Sequence, residues 1–177
     1  KNLQAGYTQY AVALIQQNRF SKAEEALNES LLIFPGFDKS LHNLKALYPA
    51  WLQWAFKQRN YTEALDILQN KASTLLVSEI DELYLLYLQS LFYQDKNPAQ
   101  ALKEARRLSL EFPDSRRIRD YRNFILSTHM EQLKKERKDS EILEWLSDFR
   151  IFQEPAILIL EGLELSRQGK GEQSRNL

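Results

Sequence analysis

A short phrase recurs three times along the chain and limits what it can fold into. It reads Asn-Arg-Phe-Ser-Lys-Ala at residues 18–23, Asn-Tyr-Thr-Glu-Ala at residues 60–64 and Asn-Pro-Ala-Gln-Ala at residues 97–101. Each copy is typical of a turn followed by a helix start, because Asn favours turns and helix N-caps and Ala favours helix. The recurrence therefore predicts a repeated helix-turn-helix hairpin.

Apolar residues three or four positions apart flank each phrase, which is the spacing of one helix face. The sets before the phrases are Tyr7, Tyr10, Ala11 and Leu14; Tyr48, Trp51, Leu52 and Ala55; and Leu85, Leu88 and Phe92. Thirty Leu residues, against six Val and Thr residues together, also favour helix over pleated sheet. We therefore predict an all-α fold.

Capping signals support the hairpin boundaries. Ser21 with Glu24 three residues later predicts a capping box, and Asn97 with Pro98 predicts an N-cap followed by the first helical residue. Two second helices are expected to end at a proline, which lacks the amide hydrogen needed to continue. These prolines are Pro35 and Pro113.

In these features the chain resembles the tetratricopeptide repeat family, whose unit of roughly 34 residues carries aromatic, Leu and small residues and a terminal Pro. Repeat one carries the pattern at Tyr7, Tyr10, Ala11, Leu14, Phe20, Ala23, Leu27 and Pro35. The resemblance implies one right-handed α-solenoid over residues 1–177. Its hairpins are expected at about residues 5–35, 38–76, 79–113 and 115–153, with a partial one at 155–177.

The repeat spacing departs from the family pattern. Ala64 lies 41 residues after Ala23, and Ala101 lies 37 residues after Ala64. The apolar positions behind Asp38 keep one helical register, which predicts a first helix about two turns longer than usual that continues through Pro49. A separate short helix before Pro49 is the alternative.

Residues for catalysis are sparse. The two histidines, His42 and His129, are far apart in the sequence and are interpreted as ordinary, partly exposed side chains. Without Cys there is no thiol chemistry, zinc ribbon or disulfide, and the glycines at 169–171 read as a helix stop signal. The carboxylate pairs at 24–25 and 81–82 are interpreted as helix-start features. We expect no enzyme activity, no cofactor and no metal.

The chain is neutral, yet its charges are segregated. Residues 103–138 hold eleven basic and six acidic side chains, and residues 139–164 hold one basic and seven acidic. The basic stretch could contact phosphates, or its arginines could pair with the acidic stretch, which is the interpretation we favour. These arginines are Arg106, Arg107, Arg116, Arg117, Arg119 and Arg122. We do not expect nucleic acid as a partner, since no base-reading motif is present.

The resemblance also implies a concave groove that holds a peptide or a partner's helix. Family positions place Phe56, Leu86, Tyr87, Ser90 and Tyr93 there as partner-binding residues. The alternative is that the aromatic and Leu side chains of this set are core. The Lys, Asn and Arg clamp with which related repeats hold acidic chaperone tails is absent, so that partner class is not expected.

The C-terminal apolar helix predicts self-association through residues 155–168, with Ile159 and Leu163 as contacts. No stretch is long enough to span a membrane, so we expect a soluble chain. Because it starts at Lys1 without Met, we expect a processed chain or a fragment, in the cytoplasm or the periplasm.

We accordingly predict a non-catalytic scaffold or adaptor that binds a peptide segment or partner subunit. The alternatives are an accessory module of a larger enzyme or envelope assembly machine and, third, an RNA-binding repeat protein.

Overall fold

A computed structural model describes residues 2–76 and 79–170, which form nine helices and no β-strand. Five helices precede residue 96: α1 Asn2–Gln16, α2 Phe20–Ile33, α3 Asp38–Lys57, α4 at residues 61–75 and α5 at residues 80–94. Four follow: α6 Pro98–Glu111, α7 Arg116–Lys135, α8 Asp139–Phe149 and α9 Pro155–Arg167. The predicted all-α fold class is confirmed for the described residues.

Two helices contain π-helical segments, in which the backbone bond spans five residues instead of four. In α4, the α-helical Tyr61–Asp66 continues as π-helical Ile67–Ala72 and ends in Ser73–Leu75. In α5, Ile80–Gln89 continues as π-helical Ser90–Gln94. A short 3-10 turn, Arg150–Phe152, follows α8.

The chain divides into two compact units, Lys1–Asp95 (unit 1) and Lys96–Leu177 (unit 2). In unit 1, α2 packs against α1 and α3, α4 packs against α3 and α5, and α1 also contacts α3. In unit 2, α7 packs against α6 and α8, and α9 packs against α8. The boundary falls inside the third predicted hairpin, and the single array over residues 1–177 stays a prediction. The end of the fifth predicted hairpin, residues 171–177, lies outside the described residues.

The first helices of four predicted hairpins end in the same turn. In each, one residue has a left-handed backbone: Asn18 (φ 57°), Arg59 (56°), Arg137 (58°) and Gly169 (72°). The N–H of the following residue donates to a carbonyl five positions back, in the pairs Arg19–Leu14 (2.9 Å), Asn60–Ala55 (2.8 Å), Lys138–Leu133 (3.0 Å) and Lys170–Leu165 (2.8 Å). This is the Schellman motif, which satisfies carbonyls that the end of a helix leaves open.

The alanines of the recurring phrase are fully buried. Ala23, Ala64 and Ala101 have no exposed surface, as small residues must where helices approach closely. The predicted apolar faces are only partly buried. The buried members are Ala11, Leu14, Tyr48, Trp51, Leu52, Ala55 and Leu88, whereas Tyr10 is 55% exposed and Tyr7, Leu85 and Phe92 are partly exposed. The face predicted for the third hairpin is mostly wrong, because the buried side of α5 runs through Leu83, Tyr84, Tyr87, Leu88 and Leu91. Helix α3 runs without interruption through Pro49, so the long first helix is confirmed and the separate short helix is wrong.

The predicted caps have mixed outcomes. Asn97 is the N-cap of α6, where its side chain accepts a hydrogen bond from the N–H of Gln100 at 3.0 Å, and Pro98 is the first helical residue. The capping box at Ser21 is wrong, because α2 already begins at Phe20 and its N-cap is Arg19, which makes no side-chain cap. The left-handed turn before Arg19 sets this earlier start.

The interpretation of Glu24 as a helix-start feature is also incomplete. Its carboxylate accepts hydrogen bonds from the Tyr48 hydroxyl at 2.9 Å and from Lys71 Nζ at 2.6 Å. Lys71 in turn lies 5.2 Å from the ring centroid of Trp51. Glu24 therefore links α2, α3 and α4, and burial together with this carboxylate raises the pKa of Tyr48.

Replacing Ala101 with Glu should lower the free energy of unfolding by more than about 4 kcal/mol, because the substitution overpacks the contact and buries an unpaired charge. The change in the free energy of unfolding is measured by urea unfolding, with circular dichroism as the signal. Gln100→Glu, at the exposed neighbouring position, is the control and should change stability by less than about 1 kcal/mol. Equal stability of the two variants would show that the repeat register at Ala101 is wrong.

Replacing Arg137 with Gly should raise the free energy of unfolding by about 0.5–1 kcal/mol, because Gly adopts a left-handed backbone without the steric penalty of a side chain. The same change at the exposed helical residue Glu131 should lower it by about 1 kcal/mol. Opposite signs in thermal or urea unfolding are expected, and a loss of stability at both positions would contradict the turn geometry.

Candidate functional site

Four of the five predicted groove residues line a single cleft in unit 1. This cleft, called the Tyr93 cleft below, has a volume of about 240 Å³. Its lining consists of Gln53, Phe56, Leu86, Gln89, Ser90, Tyr93 and Gln94. Helix α3 supplies the first two residues, and α5 supplies the other five. The first helices of the second and third predicted hairpins therefore form the two walls of the cleft.

The π-helical end of α5 positions the outer wall of the cleft. The N–H of Asp95 donates to the carbonyl of Ser90, five residues back, at 3.3 Å. The Tyr61 hydroxyl donates to the same carbonyl at 3.5 Å. Burial, and secondly the Asp95 carboxylate, raise the pKa of Tyr61 to about 12, so the phenol keeps its proton. π-helical segments occur frequently at functional sites.

Tyr93 is the most accessible aromatic side chain of the cleft, with 58% of its surface exposed. Its ring packs edge-on against Phe92, with 4.9 Å between centroids. An exposed ring that is held on one side presents its face to a ligand at little loss of rotamer freedom. Of the predicted groove residues, Tyr93 is therefore the best placed to contact a partner.

The fifth predicted groove residue, Tyr87, lies beneath the cleft. It is buried, and its ring centroid lies 6.2 Å from that of Phe56 and 6.1 Å from that of Tyr61. Phe56 is buried too, yet it also reaches the cleft lining. The core alternative thus describes Tyr87 and Phe56, although Phe56 also reaches the cleft that Leu86, Ser90 and Tyr93 line.

The lining of the Tyr93 cleft contains no charged side chain. The amides of Gln53, Gln89 and Gln94 each offer a donor and an acceptor. Beside them lie the apolar surfaces of Phe56 and Leu86. This combination matches the main-chain amides and one apolar side chain of an extended peptide.

The basic stretch in unit 2 is partly neutralised within the chain. Arg122 is almost fully buried, with 1% of its surface exposed, and forms an ion pair with Glu154. The side chains of Arg107 and Arg116 pair with acidic neighbours on their own helices, Glu104, Glu111 and Asp120. The predicted pairing of the arginines with the acidic stretch is thus found as an ion pair at Arg122, whereas Arg107 and Arg116 pair with carboxylates of the basic stretch itself.

His129 is not the partly exposed side chain that we predicted. It is buried, with its ring edge-on to Trp145 at 5.6 Å between centroids, and its Nδ1 has no hydrogen-bond partner among the described residues. Burial lowers its pKa, and Lys138 acts in the same direction, whereas Glu141 and Glu136 act against it. His42 is exposed.

The predicted self-association residues lie on the exposed side of α9. Ile159 and Leu163 have 61% and 64% of their surface exposed. The buried side of α9 is not purely apolar, because Glu161 and Glu164 are buried there and form ion pairs with Arg150 and Arg167. Self-association through Ile159 and Leu163 stays a prediction.

Compared with models of known protein families, with curated proteins and with solved structures, the chain matches none. Within residues 2–76 and 79–170, no cluster of His, Asp and Glu side chains is arranged to hold a metal ion. No helix in the same residues is both long and apolar enough to cross a membrane.

Lowering the pH from about 7.5 to about 5.5 should reduce the free energy of unfolding. In the unfolded chain His129 takes up a proton with a pKa of about 6.5, whereas burial lowers the pKa of the folded ring. Stability therefore falls as the pH falls through this range, by at most about 1.4 kcal/mol per pH unit. Urea unfolding at several pH values measures it. His129→Phe should flatten the slope and His42→Phe should retain it; equal slopes in both variants would contradict the assignment.

Proposed function

We propose that this chain is a non-catalytic interaction module that holds an extended peptide segment of a partner protein in the Tyr93 cleft. The observation that carries the proposal is the lining itself: an exposed aromatic ring, two apolar surfaces and three glutamine amides, without any charged side chain. Such a surface suits a segment that is uncharged at the contact and carries an apolar side chain.

The glutamine side chains support the peptide-binding role. No hydrogen bond engages the amides of Gln53, Gln89 or Gln94 within the described part of unit 1, so each has a donor and an acceptor for a ligand. Peptide main chain presents the matching N–H and C=O groups at every residue. The Tyr93 ring would then pack against the apolar side chain of the bound peptide and act as a hot spot of the interface.

The finer architectural proposal is a solenoid of tetratricopeptide type. Within unit 1, the Schellman turns at Asn18 and Arg59, the buried Ala23 and Ala64 and the contact of α1 with α3 support it. In such an array, the first helices of consecutive hairpins lie side by side and form the binding surface. The Tyr93 cleft is built from two such helices, α3 and α5.

Selection from a random dodecapeptide phage library, followed by titration of the synthetic hits, tests the proposal. Tyr93→Ala should weaken binding of the hits by about tenfold or more, because it removes the aromatic contact. Tyr10→Ala is the matched control, since Tyr10 is an exposed tyrosine of the same unit outside the cleft. It should leave the affinity within about twofold.

Both variants should keep the thermal stability of the parent, because both side chains are exposed. Tyr87→Ala should instead lower the free energy of unfolding by about 3 kcal/mol, since it removes a buried ring. Failure to enrich any peptide, or hits that bind Tyr93→Ala as tightly as the parent, would contradict the proposed function.

A further inference from the structure

Unit 2 contains a second cleft whose chemistry differs from that of the Tyr93 cleft. It has a volume of about 370 Å³ and lies between the end of α6, the first turns of α7 and the 3-10 turn after α8. We call it the Arg119 cleft. Its lining consists of Ser109, Leu110, Phe112, Pro113, Ser115, Arg119, Arg122, Ile151, Phe152 and Glu154.

An ion pair between the buried Arg122 and the partly buried Glu154 forms one wall of this cleft. The guanidinium of Arg122 pairs with Glu154, and its carbon atom lies 3.9 Å from the ring centroid of Phe152. Asn123 completes the arrangement, because it accepts two hydrogen bonds from Arg122 at 3.2 and 3.0 Å and donates one to Glu154 at 2.7 Å. The charge of Arg122 is thus balanced within the chain.

Arg119 is the cation that remains available in the cleft. It lies three residues before Arg122, and hence on the same face of α7. Its side chain is exposed and makes no hydrogen bond or ion pair with any of the described residues. With Arg122 balanced by Glu154, Arg119 leaves the lining with a net charge of +1.

The charge of Arg119 also acts on its neighbour. Its proximity disfavours the charged form of Arg122 and contributes to lowering the pKa of that guanidinium, after the larger effect of burial. A negative group placed against Arg119 would offset this repulsion. The electrostatics of the cleft therefore favour an anionic ligand over a neutral or cationic one.

Two large apolar side chains complete the lining beside Arg119. Leu110, at the end of α6, and Ile151, in the 3-10 turn, both have more than half of their surface exposed. An anion such as phosphate would leave these apolar surfaces in water. A ligand with an aliphatic group next to its charge would cover them.

We propose that the Arg119 cleft binds a peptide segment of a partner protein in which an Asp or Glu side chain stands next to an aliphatic side chain. The carboxylate accepts two parallel hydrogen bonds from the Arg119 guanidinium. The aliphatic side chain packs between Leu110 and Ile151. This preference for a charged segment distinguishes the cleft from the uncharged Tyr93 cleft of unit 1.

An array of immobilised octapeptides with blocked termini tests the proposal. Three sets share a fixed Leu and randomised flanks but carry Glu, Gln or Lys next to the Leu. The fluorescently labelled chain should bind the Glu set about tenfold more strongly than the Gln set, because only Glu can form a bidentate ion pair with the Arg119 guanidinium. The Lys set should bind least.

Arg119→Gln should abolish the preference for Glu over Gln. Arg116→Gln is the matched control, because Arg116 is an exposed arginine of the same helix outside the lining, and it should retain the preference. Leu110→Ser should weaken binding of the Glu set. The comparison is repeated in chains that also carry Tyr93→Ala, which removes binding by the Tyr93 cleft, and the preference for Glu over Gln should persist there. This background keeps the test separate from that of the proposed function.

Circular dichroism should give the same melting temperature for Arg119→Gln and the parent, since the side chain is exposed. A preference for Glu that survives Arg119→Gln, or equal binding of the Glu and Lys sets, would overturn the proposal. So would displacement of the Glu peptides by inorganic phosphate as effectively as by free Glu peptide, which would indicate a general anion site.

Discussion

The left-handed turn that follows the first helix is the constraint on which four of the five predicted hairpins depend. One residue at positive φ reverses the chain, and a hydrogen bond spanning five positions closes the helix end, as between Asn60 and Ala55. The reversal fixes where the next helix starts, and therefore which of its residues face inward. The burial of Ala23 and Ala64 follows from this register. The chain obtains the turn with Asn or Arg at three positions and with Gly at only one.

The helices could be predicted from the sequence because they depend on local spacing, and so could the buried face of α3. In α5, which is apolar nearly all round, spacing alone did not show which face is buried. The apolar pattern located the long α3, and Asn97 with Pro98 located the start of α6. The capping box at Ser21 failed because a left-handed Asn18 moves the helix start, and side-chain preferences alone do not reveal that geometry. The π-helical segments gave no sequence signal either, since their apolar spacing resembles that of an α-helix.

The candidate sites depend more on contacts that are distant in sequence. Family positions identified Leu86, Ser90 and Tyr93, but they could not separate the cleft lining from Tyr87, which packs one layer below. For His129, a titratable side chain suggested exposure, whereas the ring is buried. For Arg122, the predicted pairing gave no indication that the side chain is buried as well. A signal for Arg122 was present in the acidic stretch that follows it, which supplies Glu154. Nothing local to His129 indicated burial against Trp145.

The ion pair between Arg122 and Glu154 also ties the last helix of unit 2 to an earlier one. The two residues are 32 positions apart, whereas the turn bonds close loops of only a few residues, and longer loops carry a larger entropy of closure. A closed α7–α8 hairpin shortens the loop that the ion pair has to close. Because Glu154 is the N-cap residue of α9, the pair also fixes where that helix begins relative to α7.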